Sequence, residues 1–212
     1  MTEIQYFTFN PFQENTYLLI NEEKECIIID PGCYFEEERK ELLQYIEKRG
    51  LKVTRLLNTH CHLDHIMGNK LVATTYKVGL EIHQDDQVVL DRAPQSAAMY
   101  NVPMEPSPMP ARYLETDEVF TFGQSTFKVL FTPGHSPGSV SFYCKEEQFL
   151  IAGDVLFYQS IGRTDLPGGN HETLLRSIRE QLFVLPDEVK VYPGHGPATT
   201  IGYEKVHNPF LR

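Results

Sequence analysis

Excess positive charge is absent from this chain: its 212 residues carry 19 lysines and arginines against 29 aspartates and glutamates, a formal net charge of −10. Nucleic acid and anionic membrane both attract proteins through a positive field, so neither is the expected partner. Long hydrophobic runs are missing too; nothing approaches the roughly 18 consecutive apolar residues of a membrane span. The opening residues, Met1-Thr2-Glu3-Ile4-Gln5, lack the basic-then-apolar order of a secretory leader, and a cytoplasmic protein is the expectation. Cysteine is sparse. Cys26, Cys33, Cys61 and Cys144 contain no Cys-x-x-Cys pair, which fits four reduced, mostly buried thiols better than a disulfide framework.

What remains is an ordinary globular composition, 41% hydrophobic and 23% charged with 14 Gly and 14 Pro, which excludes disorder and collagen-like repeats. No linker separates two units, so one domain over 1–212 is expected. Apolar runs at Thr16 to Ile20 and Cys26 to Ile29 flank a polar tetrad and predict a hairpin. Leu42, Leu43 and Ile46 share one face of a helix from Glu36 to Arg49, with Gly50 as its stop. A strand follows at Val53 to Leu57, then a helix from Asp64 to Lys77. Two further hairpins are predicted, Val119 to Phe122 with Phe127 to Phe131, and Val140 to Tyr143 with Phe149 to Ala152. A helix after Glu172 and a strand at Val189 to Tyr192 complete a layered α/β pattern. Between Pro94 and Pro110 five prolines, interleaved with Met99, Met104 and Met109, speak against regular structure. That segment reads as an ordered loop, or as an apolar flap or subunit contact.

Histidine carries the chemistry. Thr59-His60-Cys61-His62-Leu63-Asp64-His65 packs three imidazoles and a carboxylate into six positions, and no single strand or helix aims all four one way. A strand-to-helix turn can aim them at two neighbouring points. The same punctuation recurs: a strand and then Gly134-His135, a strand and then Gly153-Asp154, a strand and then Gly194-His195. Each of those turns, taken alone, fits a surface histidine or a simple turn former. Side by side, the strands would gather five imidazoles and two carboxylates at one edge, a set suited to two zinc, iron or manganese ions. Converging without cations, such groups would be left buried and unpaired. His83, His171 and His207 lack this context.

These motifs resemble the metallo-β-lactamase superfamily, and within it the short glyoxalase II-like hydrolases. The likeness covers nearly the whole chain, including Asp30-Pro31-Gly32 and Gly162-Arg163-Thr164-Asp165-Leu166-Pro167. It implies a four-layer αββα sandwich with the site at one edge of two sheets. By the same resemblance His60, His62 and His135 hold one divalent metal, with zinc the expected ion and iron or manganese its alternatives. Asp64, His65 and His195 hold a second, and Asp154 bridges them. Asp30 would orient a ligand imidazole, as well as forming an Asp-Pro-Gly turn. Arg163 and Asp165 would brace each other beneath the site. Asp64 and Asp154 then serve catalysis as well as metal binding. Cys61 should face away.

The implied activity is metal-dependent hydrolysis of a small-molecule thioester of the S-lactoylglutathione kind. Two cations a few ångström apart bring a shared water's pKa toward 7. A thiolate leaves without a strong acid, whereas an amine needs one. Asp154 departs from the pattern of true β-lactamases of this fold. The chain stops soon after His195, where typical glyoxalase II enzymes add a glutathione-gripping domain, so weak selectivity for the thiol is expected. A persulfide dioxygenase using a single iron, and a non-catalytic metal-binding protein, are the competing readings.

Overall fold

The computed structural model describes residues Met1–Arg212. Its first sheet is built from β1 (Glu3–Phe9), β2 (Glu14–Ile20), β3 (Glu25–Ile29), β4 (Lys52–Leu57), β5 (Leu80–His83) and β6 (Pro110–Leu114), lying in that order. The helices threaded through it are α1 (Glu36–Arg49), α2 (Leu63–Ile66), α3 (Asn69–Tyr76) and α4 (Gln87–Met99). The second sheet takes β7 (Val119–Phe122), β8 (Ser125–Phe131), β9 (Val140–Cys144) and β10 (Phe149–Gly153). After a two-stranded ribbon, β11 (Leu156–Phe157) and β12 (Ser160–Ile161), come α5 (His171–Ser177), β13 (Lys190–Pro193), β14 (Thr199–Thr200) and α6 (Ile201–His207). Its order is β14-β13-β10-β9-β8-β7.

Alternation along the strands sorts the side chains into layers. In β2, Leu18 and Ile20 turn to the helices, where Leu42 and Ile46 of α1, Val72 of α3 and Leu90 of α4 meet them. Tyr17 and Leu19 turn the other way and join Phe127, Val129, Phe142 and Ile151 between the sheets. A third apolar layer, with Leu150 and Val191 against Leu174, Ile178 and Ile201, backs the second sheet with α5 and α6. The result is the expected αββα sandwich, and strands buried on both faces account for the near-continuous apolar runs in the sequence. All four cysteines are free and buried.

Two local expectations need correction. The helix expected from Asp64 to Lys77 is broken: α2 ends at Ile66 and α3 starts at Asn69, with the Gly68 N–H donating to the Pro31 carbonyl at 2.6 Å. The proline segment is also more regular than its composition implies. Pro94 sits inside α4, on an exposed part of it, and the cost of one missing backbone donor is met by burying Leu90, Ala93 and Ala97. Pro110 opens β6, an edge strand and a position where proline is tolerated. Met104 packs beneath α2 with Leu63 and Met67, and Met99 and Met109 are exposed, while Ser96 and Tyr100 of the same segment line the cavity beside the site.

Candidate metal centre

Strand direction decides where the chemistry gathers. β10 is parallel to β13, and β9 runs antiparallel to both β8 and β10, so β8, β10 and β13 end at one edge. Their continuations carry His135, Asp154 and His195. The loop after β4 brings His60 to the same edge from the other sheet, tied across by Val140 N–H to the Thr59 carbonyl at 2.8 Å. His62 is the residue preceding α2, and Asp64 and His65 lie in its single turn. A bridge between Glu14 and His195, with Asn15 N–H donating to the Gly194 carbonyl at 2.7 Å, closes the seam. Glycine is required at 194. A Cβ there would lie 2.1 Å from Asp154 Oδ1 and 2.7 Å from His65 Cε1.

The seven residues form two triads joined by one carboxylate. Ring nitrogens of His60, His62 and His135 lie within 4.8 Å of one another, as do ligating atoms of Asp64, His65 and His195. Asp154 faces both: Oδ1 is 3.5 Å from His65 Nε2, while Oδ2 is 3.5 Å from His135 Nε2 and 3.4 Å from His195 Nε2. Asp64 Oδ2 is 3.1 Å from His195 Nε2.

Most of the imidazoles are held by their far nitrogen. His65 Nδ1 donates to Asp30 Oδ2 at 3.1 Å and His135 Nδ1 to the Arg163 carbonyl at 2.7 Å. His195 Nδ1 reaches the carbonyls of Phe12 and Gln13, both at 3.1 Å. The Thr59 hydroxyl donates to Asp30 Oδ2 at 2.6 Å, which leaves it to accept from His60 Nδ1 at 3.0 Å. Each arrangement leaves Nε2 aimed inward. Buried His60 Nε2, His65 Nε2 and Asp154 Oδ1 have no hydrogen-bond partner in the protein. Orphaned lone pairs of this kind are costly unless a cation or proton answers them. The donor set and these orphans therefore fit divalent metal ions.

Electrostatics split the triads. Burial, aided by His65 and His135, drives His60 well below the ordinary imidazole range, and burial with His135 takes His62 to about 3. Burial also works against protonating His65 and His195, but the carboxylates win: Asp154 and Asp64 lift His65 well above its usual range and His195 to about 9. In return, burial of Asp154 and Asp64 is outweighed by His65 and His195, and both carboxylates stay below the ordinary range.

Asp30 stands where the resemblance put it, gripping His65, Thr59 and Asn58. Arg163 and Asp165 do pair, through two 2.7 Å contacts, but both side chains are exposed instead of lying beneath the site. What touches the centre is the Arg163 carbonyl; Asp165 contacts none of the seven residues. Cys61 is buried in the helix-facing core with its thiol raised well above the usual range by burial and then by Asp86. His83 stacks on Phe131, with ring centroids 4.5 Å apart, and His207 tilts against Tyr203 at the same distance; neither reaches the centre.

Sequence reasoning missed two buried carboxyl groups. Asp86, fully buried, accepts from Cys61 N–H, the Ser136 hydroxyl and Gly138 N–H, and so ties the His60–His65 loop to the His135 loop. Glu14 lies 4.0 Å from His65 Nδ1 and accepts from the Thr16 hydroxyl at 2.9 Å; burial raises its carboxyl well above the usual range. An acid ending a short 3-10 turn and an acid opening a strand carry no spacing signal that separates them from surface residues.

A cavity of about 500 Å³ opens onto the triads, with Phe12, Phe157, Ile161 and Leu166 among its apolar walls. Known proteins resemble the chain over nearly its whole length. The chain is 43% identical over 202 residues to the probable metallo-hydrolase YqgX of Bacillus subtilis, covering 95% of this chain and 93% of that one. It is 37% identical to the hydroxyacylglutathione hydrolase GloC of Haemophilus influenzae, over 98% of this chain and 97% of the other. Among solved structures, the BLEG-1 B3 metallo-beta-lactamase superposes with a TM-score of 0.90 at 40% identity, over 99% of both chains. TTHA1623 in a di-iron-bound form gives 0.88 at 38%, over 98% of this chain and all of the other. The sequence pattern of the metallo-beta-lactamase superfamily runs through residues 9–195, from the end of β1 to the last site histidine, and the chain belongs to that superfamily.

Proposed function

We propose that the protein is a thioester hydrolase of the glyoxalase II type that works with two divalent metal ions, zinc in the first instance. The observation that carries this reading is the reach of Asp154, whose two oxygens lie within 3.5 Å of imidazoles from both triads. His60, His62 and His135 would hold one ion, Asp64, His65 and His195 the other, with Asp154 shared. Such a pair, when bound, polarises the acyl carbonyl and brings a shared water's pKa toward 7. The chain's own part is positional. Asp30, Thr59 and the backbone carbonyls of Phe12, Gln13 and Arg163 fix four rings before substrate arrives, which saves reorganisation during the reaction.

The walls offer no carboxylic acid to protonate a leaving group. They carry no cysteine, and no carboxyl group other than Asp64 and Asp154, both held as anions. A thiolate, with a parent pKa near 8.5, departs unaided, whereas an amine has to be protonated. The name of GloC points the same way. BLEG-1 supports a second reading, cleavage of a strained amide, which the same assay addresses. Metal-loaded protein is given one 2-hydroxyacyl group on glutathione, on a truncated thiol and on coenzyme A, beside a cephalosporin, and a persulfide in an oxygen electrode. Turnover of the thioesters, with less than about a hundredfold spread across the thiols, is the expected result. Cephalosporin cleavage without thioester turnover, or oxygen uptake with the persulfide alone, overturns it.

A further inference from the structure

One face of α4 looks into the cavity, and nothing in the chemistry above uses it. Val89, Arg92, Ser96 and Tyr100 recur at three- and four-residue intervals and all line the wall. The helix cannot rotate away, because Leu90 and Ala93 are buried in the helix-facing core and Ala97 packs against Leu63 and Met67. Past its far end, Tyr100 makes an edge-on contact with Phe12, another wall residue, with ring centroids 5.7 Å apart.

The charge on this face is uncommitted. Two arginines, Arg92 and Arg163, line the cavity. The Arg163 guanidinium is occupied by its two-point pair with Asp165. The Arg92 guanidinium has no carboxylate or carbonyl partner, although acidic residues outnumber basic ones by 29 to 19 in the chain. The remaining carboxylates on the wall, Asp64 and Asp154, are engaged with imidazoles. Arg92 is thus a free, exposed cation on the cavity wall, with Ser96 and Tyr100 along the same face.

We infer that Arg92, with Ser96 and Tyr100, forms a subsite for a carboxylate on the thiol half of the substrate. The inference rests on the thioester reading. The scissile carbonyl has to sit at the triads, and a small hydroxyacyl group occupies little of a cavity of about 500 Å³, a size that accommodates a much larger ligand. The rest of the volume belongs to the departing thiol, and α4 is the wall that offers it a positive charge. An exposed ion pair of this kind is modest, so it sorts substrates without dictating them. Arg92 is a specificity-determining residue here and takes no part in bond breaking.

The test compares the lactoyl thioester of glutathione with that of glutathione diethyl ester, in which both carboxylates are replaced by neutral ethyl esters, on the zinc-loaded full chain. The wild type should favour the free-carboxylate substrate in kcat/KM by about fivefold, through KM and not kcat, with the preference shrinking as salt is added. Arg92→Ala should bring that ratio to about one, and Arg92→Lys should restore part of it. An unchanged thermal midpoint in both variants establishes that folding is not the cause. A ratio left intact by Arg92→Ala overturns the subsite while leaving the thioester reading in place. Failure of the wild type to hydrolyse either substrate overturns both.

Discussion

The two triads differ in what they hold before metal arrives. His60 and His62 are neutral at physiological pH because burial denies them a proton, whereas His65 and His195 keep theirs against Asp64 and Asp154. A metal needs a neutral imidazole, so filling the second triad displaces protons and filling the first displaces few. The sign follows: affinity at the second triad rises with pH toward the His195 value of about 9, and acid favours the proton over the metal. Loading metal-free protein in weakly buffered solution at pH 7 should therefore release protons chiefly with the second equivalent. Dialysis at pH 5.5 should strip one ion before the other; simultaneous loss, or no proton release, would contradict the assignment. The seven groups themselves could be read from the sequence because each follows a strand and a turn. Asp86 and Glu14 could not, since their roles come from burial and partners far along the chain.

Strand ends are the elements that matter. Three parallel-running strands, β8, β10 and β13, stop at one edge, and the residues just past them supply His135, Asp154 and His195. Apolar alternation located those strands, and the glycine turns marked their ends. Gly194 is where the edge is tightest. Gly194→Ala would drive a methyl group into Asp154 Oδ1, and a shift near an ångström in a reacting group costs on the order of a hundredfold in rate. We expect kcat/KM to fall by about that factor with metal content reduced and the fold retained by circular dichroism. Near wild-type turnover would mean that Asp154 does not need its present position. The α4 helix was opaque to composition because Pro94 signals a break, yet Leu90, Ala93 and Ala97 anchor it in two apolar clusters. Tertiary packing overrode propensity there, and the same packing sets Arg92 on the cavity wall.

The whole molecule is a sandwich whose three apolar layers leave one edge for polar groups. The layers were legible as runs buried on both faces; the short strands β11, β12 and β14 were not, because two residues give no period to read. This architecture brings five imidazoles and two carboxylates from both sheets into one small volume, and the proposed activity needs them to act as a two-ion site for thioester cleavage. Metal-free protein titrated with zinc, with hydrolysis of a 2-hydroxyacyl thioester followed at each addition, puts that to the test. Turnover should climb through the second equivalent and level off at two ions per chain, with no oxygen consumed. Full activity at a single equivalent, or activity only with iron, oxygen and a persulfide, would contradict it.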